Sequence, residues 1–172
     1  MLSPTMQDAL NAQLNAEYYS SYLYLSMAAW SEGANLKGFA HWFRVQSQEE
    51  MQHVMRLFRY VVDRKGRVRL GAIAAPPGDW ASPLAVFEAA AEHEAHVTGA
   101  INRLLEQAVR ENDFATHTLL EWFISEQVEE EATVDAIVQQ LKLAGDAPAT
   151  LFLIDRELGS RAPASADSGP AG

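Results

Sequence analysis

Cysteine is absent from the 172 residues of this sequence. That absence excludes disulfide bonds, thiolate zinc sites and iron centres held by cysteine sulfur. Long apolar runs are also missing, because the longest uncharged helical stretch, residues 18–31, is too short to span a bilayer. Residues 1–4 lack the charged and apolar regions of a secretory signal. We therefore expect a soluble, cytoplasmic protein with no membrane partner.

Positive charge is scarce. The chain has 13 lysine and arginine residues against 23 aspartate and glutamate residues, which gives a formal net charge of −10. Binding to nucleic acid requires a positive surface that can contact phosphates, so nucleic acid is not an expected partner. The favoured small partners of such an acidic chain are cations.

Four long segments have an apolar period of about 3.6 residues, which is typical of amphipathic helices. The pattern predicts helices over about 5–32, 35–63 and 83–111, a fourth that ends near 143, and a short fifth over about 149–158. Asn35 is the predicted N-cap of the second helix. Ser82 followed by Pro83 is a typical helix start for the third.

The order of short and long connections predicts the topology. Residues 64–79 form a long link interrupted by glycine and proline, and a link of that length can run along the whole bundle. A short turn, a long crossover and a second short turn predict an all-α, up-down-down-up four-helix bundle with a short fifth helix. We expect one domain over 1–158 and a disordered tail over 159–172.

Polar residues occupy three positions on these otherwise apolar helices, and the three positions repeat once at a spacing of 77 residues, which gives six residues in two halves. Within each half, the last two are three positions apart and share one helix face. Several buried carboxylates repel one another and require a compensating cation. Carboxylates with one imidazole suit iron or manganese better than zinc. The six residues are Glu17, Glu50 and His53 in the first half and Glu94, Gln127 and Glu130 in the second.

Two such half-sites facing each other inside a bundle predict a two-iron site. Two adjacent Fe(II) ions can pass electrons to one molecule of O2 or peroxide, and oxygen ligands stabilise the ferric product. Gln127 is neutral where the first half has Glu50, so we expect the second iron to be held less tightly. That asymmetry suits a site that must release its product.

A second acidic group flanks the first. Glu49, Glu126 and Glu129 each directly precede one of the six polar residues, and Glu49 and Glu126 also obey the spacing of 77. They predict a third iron position or an exit path for iron. The alternative is a solvated acidic helix face.

These residues resemble those of the non-haem bacterial ferritins, and the resemblance covers residues 1–158. It implies a ferritin-like bundle that assembles into a hollow cage of 24 subunits, oxidises Fe(II) with O2 or H2O2, and stores ferric mineral inside. It also implies that Tyr24 and Trp122 are electron donors beside the centre. The implied ligands are Glu17, Glu50 and His53 for the first iron, Glu94 and Glu130 with Gln127 nearby for the second, and Glu49, Glu126 and Glu129 for a third.

Three alternatives remain. A di-iron peroxide reductase of the rubrerythrin kind would keep the bundle, but cysteine for the usual electron-relay domain is missing. A haem-containing bacterioferritin would use Met51, yet the second Glu-x-x-His motif of that branch is replaced by Gln127-x-x-Glu130, so haem is not expected. The third alternative is a metal-free helical interaction module.

Overall fold

The computed structural model describes residues 1–145 and 147–163. Within these ranges the chain forms no strand and five helices: α1 (Pro4–Gly33), α2 (Lys37–Asp63), α3 (Pro83–Arg110), α4 (Phe114–Ala144) and α5 (Pro148–Leu158). Short turns join α1 to α2 and α3 to α4, and each pair packs together along its length. No helix in the described part of the chain is long and apolar enough to cross a membrane. The predicted all-α bundle with a fifth helix is confirmed.

The link between α2 and α3 lies along α1. Backbone N–H groups of residues 67, 69 and 71 donate to the amide side chains of Gln7, Asn11 and Asn15, at 2.7–2.8 Å. The acceptors on α1 are four residues apart and the donors on the link are two residues apart. Four residues of helix and two residues of extended chain both advance about 6 Å, so each donor lies beside its acceptor. Farther along, the Ser26 hydroxyl donates to the Pro77 carbonyl at 2.6 Å. The link therefore crosses the bundle, and the predicted up-down-down-up order is confirmed.

The prediction that Asn35 caps α2 is wrong. Asn35 has a φ of 60° and ends α1, where the next backbone N–H donates to the Ser31 carbonyl at 2.9 Å. Asn112 repeats this conformation, with a φ of 54°, just after α3. Asparagine enters the left-handed region more readily than most residues because its short side chain can hydrogen-bond locally. The signal at Asn35 was a helix stop, not a helix start.

Asp155 of α5 caps α2 instead. Its Oδ1 accepts hydrogen bonds from the backbone N–H groups of Gly38 at 2.8 Å and Phe39 at 3.1 Å. These N–H groups belong to the first turn of α2, which has no partner within its own helix. The two backbones approach so closely that a Cβ on Gly38 would lie 1.6 Å from the Asp155 carbonyl oxygen. The start of α2 and the docking of α5 therefore depend on each other.

The apolar core consists of two clusters. One surrounds Phe39, Phe43 and Phe87, and the other contains Leu10, Leu57 and neighbouring aliphatic side chains. Together they bury polar side chains in the middle of the bundle, where water has little access.

The chain does not leave the bundle at the end of α5. Arg161 follows α5 and its guanidinium pairs with Glu49 of α2 at 2.5 Å. Residues 159–161 therefore contact the bundle, although they belong to the segment predicted to be a disordered tail. Residues 164–172 of that segment lie outside the described residues, so disorder there stays a prediction.

Gly38→Ala should destabilise the protein by about 1–3 kcal/mol, because the added methyl group forces the start of α2 away from α5. Scanning calorimetry should show a lower Tm. Gly33→Ala is the matched control, since its Cβ would have no neighbour within 4 Å. Equal Tm values for the two variants would contradict the close packing of α5.

Candidate metal centre

The six repeated polar residues meet in the middle of the bundle. Each of the four long helices contributes at least one of them, far from its ends. Five are buried, with exposed fractions of 0–4%, and Glu130 is half-buried. The helix positions therefore bring together Glu17 from α1, Glu50 and His53 from α2, Glu94 from α3, and Gln127 and Glu130 from α4.

Two overlapping groups could each hold a metal ion. In one, ligand atoms of Glu17, Glu50 and His53 all lie within 4.8 Å of one another. In the other, the same holds for Glu50, Glu94 and Glu130. Glu50 belongs to both groups, so its carboxylate lies between two candidate ion positions. This geometry suits a pair of adjacent cations bridged by one carboxylate.

Among the residues that the structure describes, two buried carboxylate oxygens in the centre have no hydrogen-bond partner: Oε2 of Glu17 and Oε2 of Glu130. A buried polar atom without a partner destabilises the fold. Glu17 and Glu130 belong to different groups, one to each candidate ion position. A cation at each position would satisfy both oxygens, so the side chains present fit a pair of metal ions.

The other oxygens of these carboxylates accept hydrogen bonds that orient them. Gln13 Nε2 donates to Glu17 Oε1 at 2.8 Å, and Gln46 Nε2 donates to Glu130 Oε1 at 3.0 Å. Each amide thereby leaves Oε2 of its glutamate free. Neither glutamine was predicted from the sequence, although each lies four residues before a glutamate of the centre, on the same helix face.

Glu94 accepts hydrogen bonds on both oxygens. The Tyr24 hydroxyl donates to Oε1, and Gln127 Nε2 donates to Oε2 at 3.1 Å. The Gln127 amide nitrogen also lies 3.2 Å from the Thr98 hydroxyl oxygen. Gln127 therefore lies beside the centre as a donor to Glu94, and direct coordination by Gln127 stays a prediction.

Burial and mutual repulsion favour protonated carboxyls in the absence of metal. Burial, followed by the charges of Glu17 and Glu94, raises the pKa of Glu50 well above its usual value. Burial also raises the pKa of Glu94. Burial, with the charges of Glu50 and Glu94, raises the pKa of Glu130 to about 10. The centre is therefore short of positive charge.

Two aromatic side chains flank the centre. Tyr24 is fully buried, and burial together with the charge of Glu94 raises its pKa well above the usual value. The Trp122 ring centroid lies 5.4 Å from that of His53, and the Arg56 guanidinium lies 3.8 Å from the Trp122 ring. Both residues are therefore adjacent to candidate ligands, and their roles as electron donors stay predictions.

The second acidic group does not form a compact ligand set in the described residues. Glu49, Glu126 and Glu129 do not bring their oxygens within 4.8 Å of one another. They are nevertheless close enough to interact: burial raises the pKa of Glu126, and the charges of Glu129 and Glu49 add to the increase. Glu49 faces Arg161, which the sequence analysis did not connect with the site. A third iron position there stays a prediction.

Known proteins are similar to this chain in overall sequence and in fold. A family described as Ferritin-like domain matches residues 7–144. A bacterial non-heme ferritin of Bacteroides fragilis is 45% identical, covering 94% of this chain and 100% of that protein. One of Escherichia coli is 39% identical over 92% of this chain and 96% of its own length. An open-pore ferritin structure from Archaeoglobus fulgidus is 50% identical with a TM-score of 0.94, covering 94% of this chain and 100% of that one.

The raised carboxyl pKa values predict that the metal-free protein loses stability as the pH rises. A glutamate in the unfolded chain titrates near pH ~4.3, whereas Glu130 in the fold has a pKa of about 10. Between these values the folded state holds a proton that the unfolded state has lost, so raising the pH favours unfolding. The Tm of the metal-free protein should fall between about pH 6 and 9.

Glu130→Gln should lessen that fall, because glutamine cannot ionise. Scanning calorimetry of both metal-free proteins over the same pH series provides the measurement. An equal pH dependence of Tm in the two proteins would contradict the assignment of the effect to this centre.

Proposed function

The chain belongs to the ferritin-like domain family, and from this premise we propose that it is an iron-storage ferritin that oxidises Fe(II) inside its own bundle. One observation carries the proposal: two buried carboxylate oxygens, on Glu17 and on Glu130, have no hydrogen-bond partner among the described residues, and these two glutamates belong to the two ligand groups that share Glu50. A metal-free interaction module would gain nothing from such an arrangement, which costs stability unless cations bind.

The proposed ligands of the first iron are Glu17, Glu50 and His53. Those of the second are Glu50, Glu94 and Glu130, with Gln127 beside them. The shared position of Glu50 in the two ligand groups supports a bridging role. Oxygen ligands with one imidazole are a donor set suited to both Fe(II) and Fe(III).

Iron is the substrate of this reaction. Two Fe(II) ions each give up one electron, and one O2 takes up the two electrons with two protons to leave as H2O2. Peroxide can accept two electrons in the same way and leave as water. The protein's contribution is to hold two ions side by side in a site from which bulk water is largely excluded, so that both electrons reach one oxidant molecule.

The second position is the one from which we expect ferric iron to leave. Gln127 contributes no charge there. It also donates a hydrogen bond to Glu94, and this bond lowers the electron density that the Glu94 carboxylate can offer to the metal. Glu126 and Glu129 lie one position before Gln127 and Glu130 on α4. The weakened Glu94 donor at the second position and the acidic residues nearby together favour transfer of the product.

Storage requires a container, and we propose the 24-subunit cage of the ferritins. The net charge of −10 per chain would attract Fe(II), an effect that salt weakens. Large apolar side chains that are exposed in the single chain, such as Phe114 and Leu25, are available for contacts between subunits. We place the protein in the cytoplasm.

The double variant Glu17→Ala/His53→Ala should slow Fe(II) oxidation by at least about 100-fold, because loss of a residue that merely supports a ligand already costs about 10–100-fold. The measurement adds Fe(II) aerobically to metal-free protein and follows ferric absorbance. Gel filtration of the same samples should show particles far larger than the 19.0 kDa chain.

Glu92→Ala/His96→Ala is the matched control, since it removes the same two residue types from exposed positions of α3. It should oxidise iron like the parent. Equal traces from the parent and the Glu17→Ala/His53→Ala variant would contradict the ferroxidase assignment and leave at most a cage that nucleates mineral on its wall.

Tyr24→Phe should weaken metal binding at the second position by roughly tenfold, because it removes the hydroxyl that orients Glu94. Zn²⁺ titration calorimetry measures this without oxidation. Tyr22→Phe removes a half-exposed hydroxyl from the same helix and should leave the affinity unchanged. A Tyr24→Phe titration that matches the parent would show that the hydrogen bond does not position Glu94.

A further inference from the structure

The segment after α5 places a positive charge beside the metal centre. The Arg161 side chain lies against α2, with its guanidinium 4.5 Å from the Trp42 ring centroid. The His41 Nε2–H donates to the Arg161 carbonyl oxygen at 2.9 Å, which fixes the backbone at this point. Arg161 lies beyond residues 7–144, the part of the chain that the family match covers.

The guanidinium has two further partners on the face of α2 that leads to the centre. Nη2 donates to Glu49 Oε2 at 2.5 Å, and Nη1 donates to Gln46 Oε1 at 3.0 Å. The Gln46 amide in turn donates to Glu130 at 3.0 Å. Arg161 is therefore one hydrogen-bonded side chain away from a proposed ligand of the second iron.

Three observations make this contact more than a surface ion pair. The Arg161 side chain is 23% exposed and that of Glu49 is 29% exposed, so solvent screens the pair only partly. The aromatic ring and the Gln46 amide hold the guanidinium in place from other sides. Burial lowers the pKa of Arg161, while the charges of Glu49 and Glu130 oppose that shift.

Glu49 is also the α2 member of the second acidic group. A metal ion that used Glu49 Oε2 together with Glu126 and Glu129 would need the oxygen that the guanidinium now occupies. A fixed positive charge close to that position would also repel the ion directly. Arg161 and a third metal ion therefore compete for one carboxylate.

We infer that Arg161 is a built-in cation that occupies Glu49 and so weakens binding of a third metal ion beside the di-iron centre. The inference rests on the proposed function, because the third position has meaning only next to two bound ions. If Arg161 weakens the third position, each subunit holds two ions tightly and does not retain further iron at that position.

The test compares Zn²⁺ titrations of the metal-free assembled parent and Arg161→Gln by calorimetry, because zinc binds without redox chemistry. The parent should bind two ions per subunit tightly. Arg161→Gln should bind a third at least about tenfold more tightly than the parent does, since a competing unit charge has been removed. Arg161→Lys keeps the charge and should resemble the parent.

Two controls isolate the contact. Arg156→Gln removes the same charge from an exposed position of α5 and should leave the titration unchanged. Glu49→Gln/Arg161→Gln lacks the contested carboxylate and should not gain the third ion. Identical titrations of the parent and Arg161→Gln would overturn the inference. A parent that binds fewer than two ions would instead overturn the ligand assignment, and the inference with it.

Discussion

The repulsion between buried carboxylates is the constraint on which the rest of this structure depends. Glu17, Glu50 and Glu94 are almost fully buried, and Glu130 lies close by with one oxygen that has no partner. Without a cation, such a cluster can persist only by taking up protons, which is why the pKa values of Glu50, Glu94 and Glu130 are raised. The fold thus maintains a site that the proposed pair of metal ions would stabilise.

The surrounding helices counter that repulsion with side chains that donate hydrogen bonds to the carboxylates. The proposed ligands lie far from the helix ends, and amide side chains of Gln13 and Gln46 hold one oxygen of Glu17 and one of Glu130 in place. The crossover link, hydrogen-bonded along α1, sets the directions of the helices. Asp155 holds the start of α2, and Arg161 reaches from the same end of the chain to the acidic group beside the centre.

The sequence predicts the helices, their order and the residues that meet in the centre, because each depends on a local period or on a spacing within the chain. The repeat at 77 residues brings Glu50 and Gln127 to corresponding places without any knowledge of packing. What the sequence could not supply are contacts between distant segments. Asp155 caps a helix 117 residues away, and Arg161 pairs with Glu49 across 112 residues. No periodicity relates such pairs.

The most direct test of the proposed di-iron centre is anomalous diffraction at the iron absorption edge from crystals soaked anaerobically with Fe(II). We expect two peaks in each subunit, one within coordination distance of Glu17, Glu50 and His53 and one within coordination distance of Glu50, Glu94 and Glu130. Iron bound only on the surface, with the central carboxylates hydrogen-bonded to one another, would contradict it.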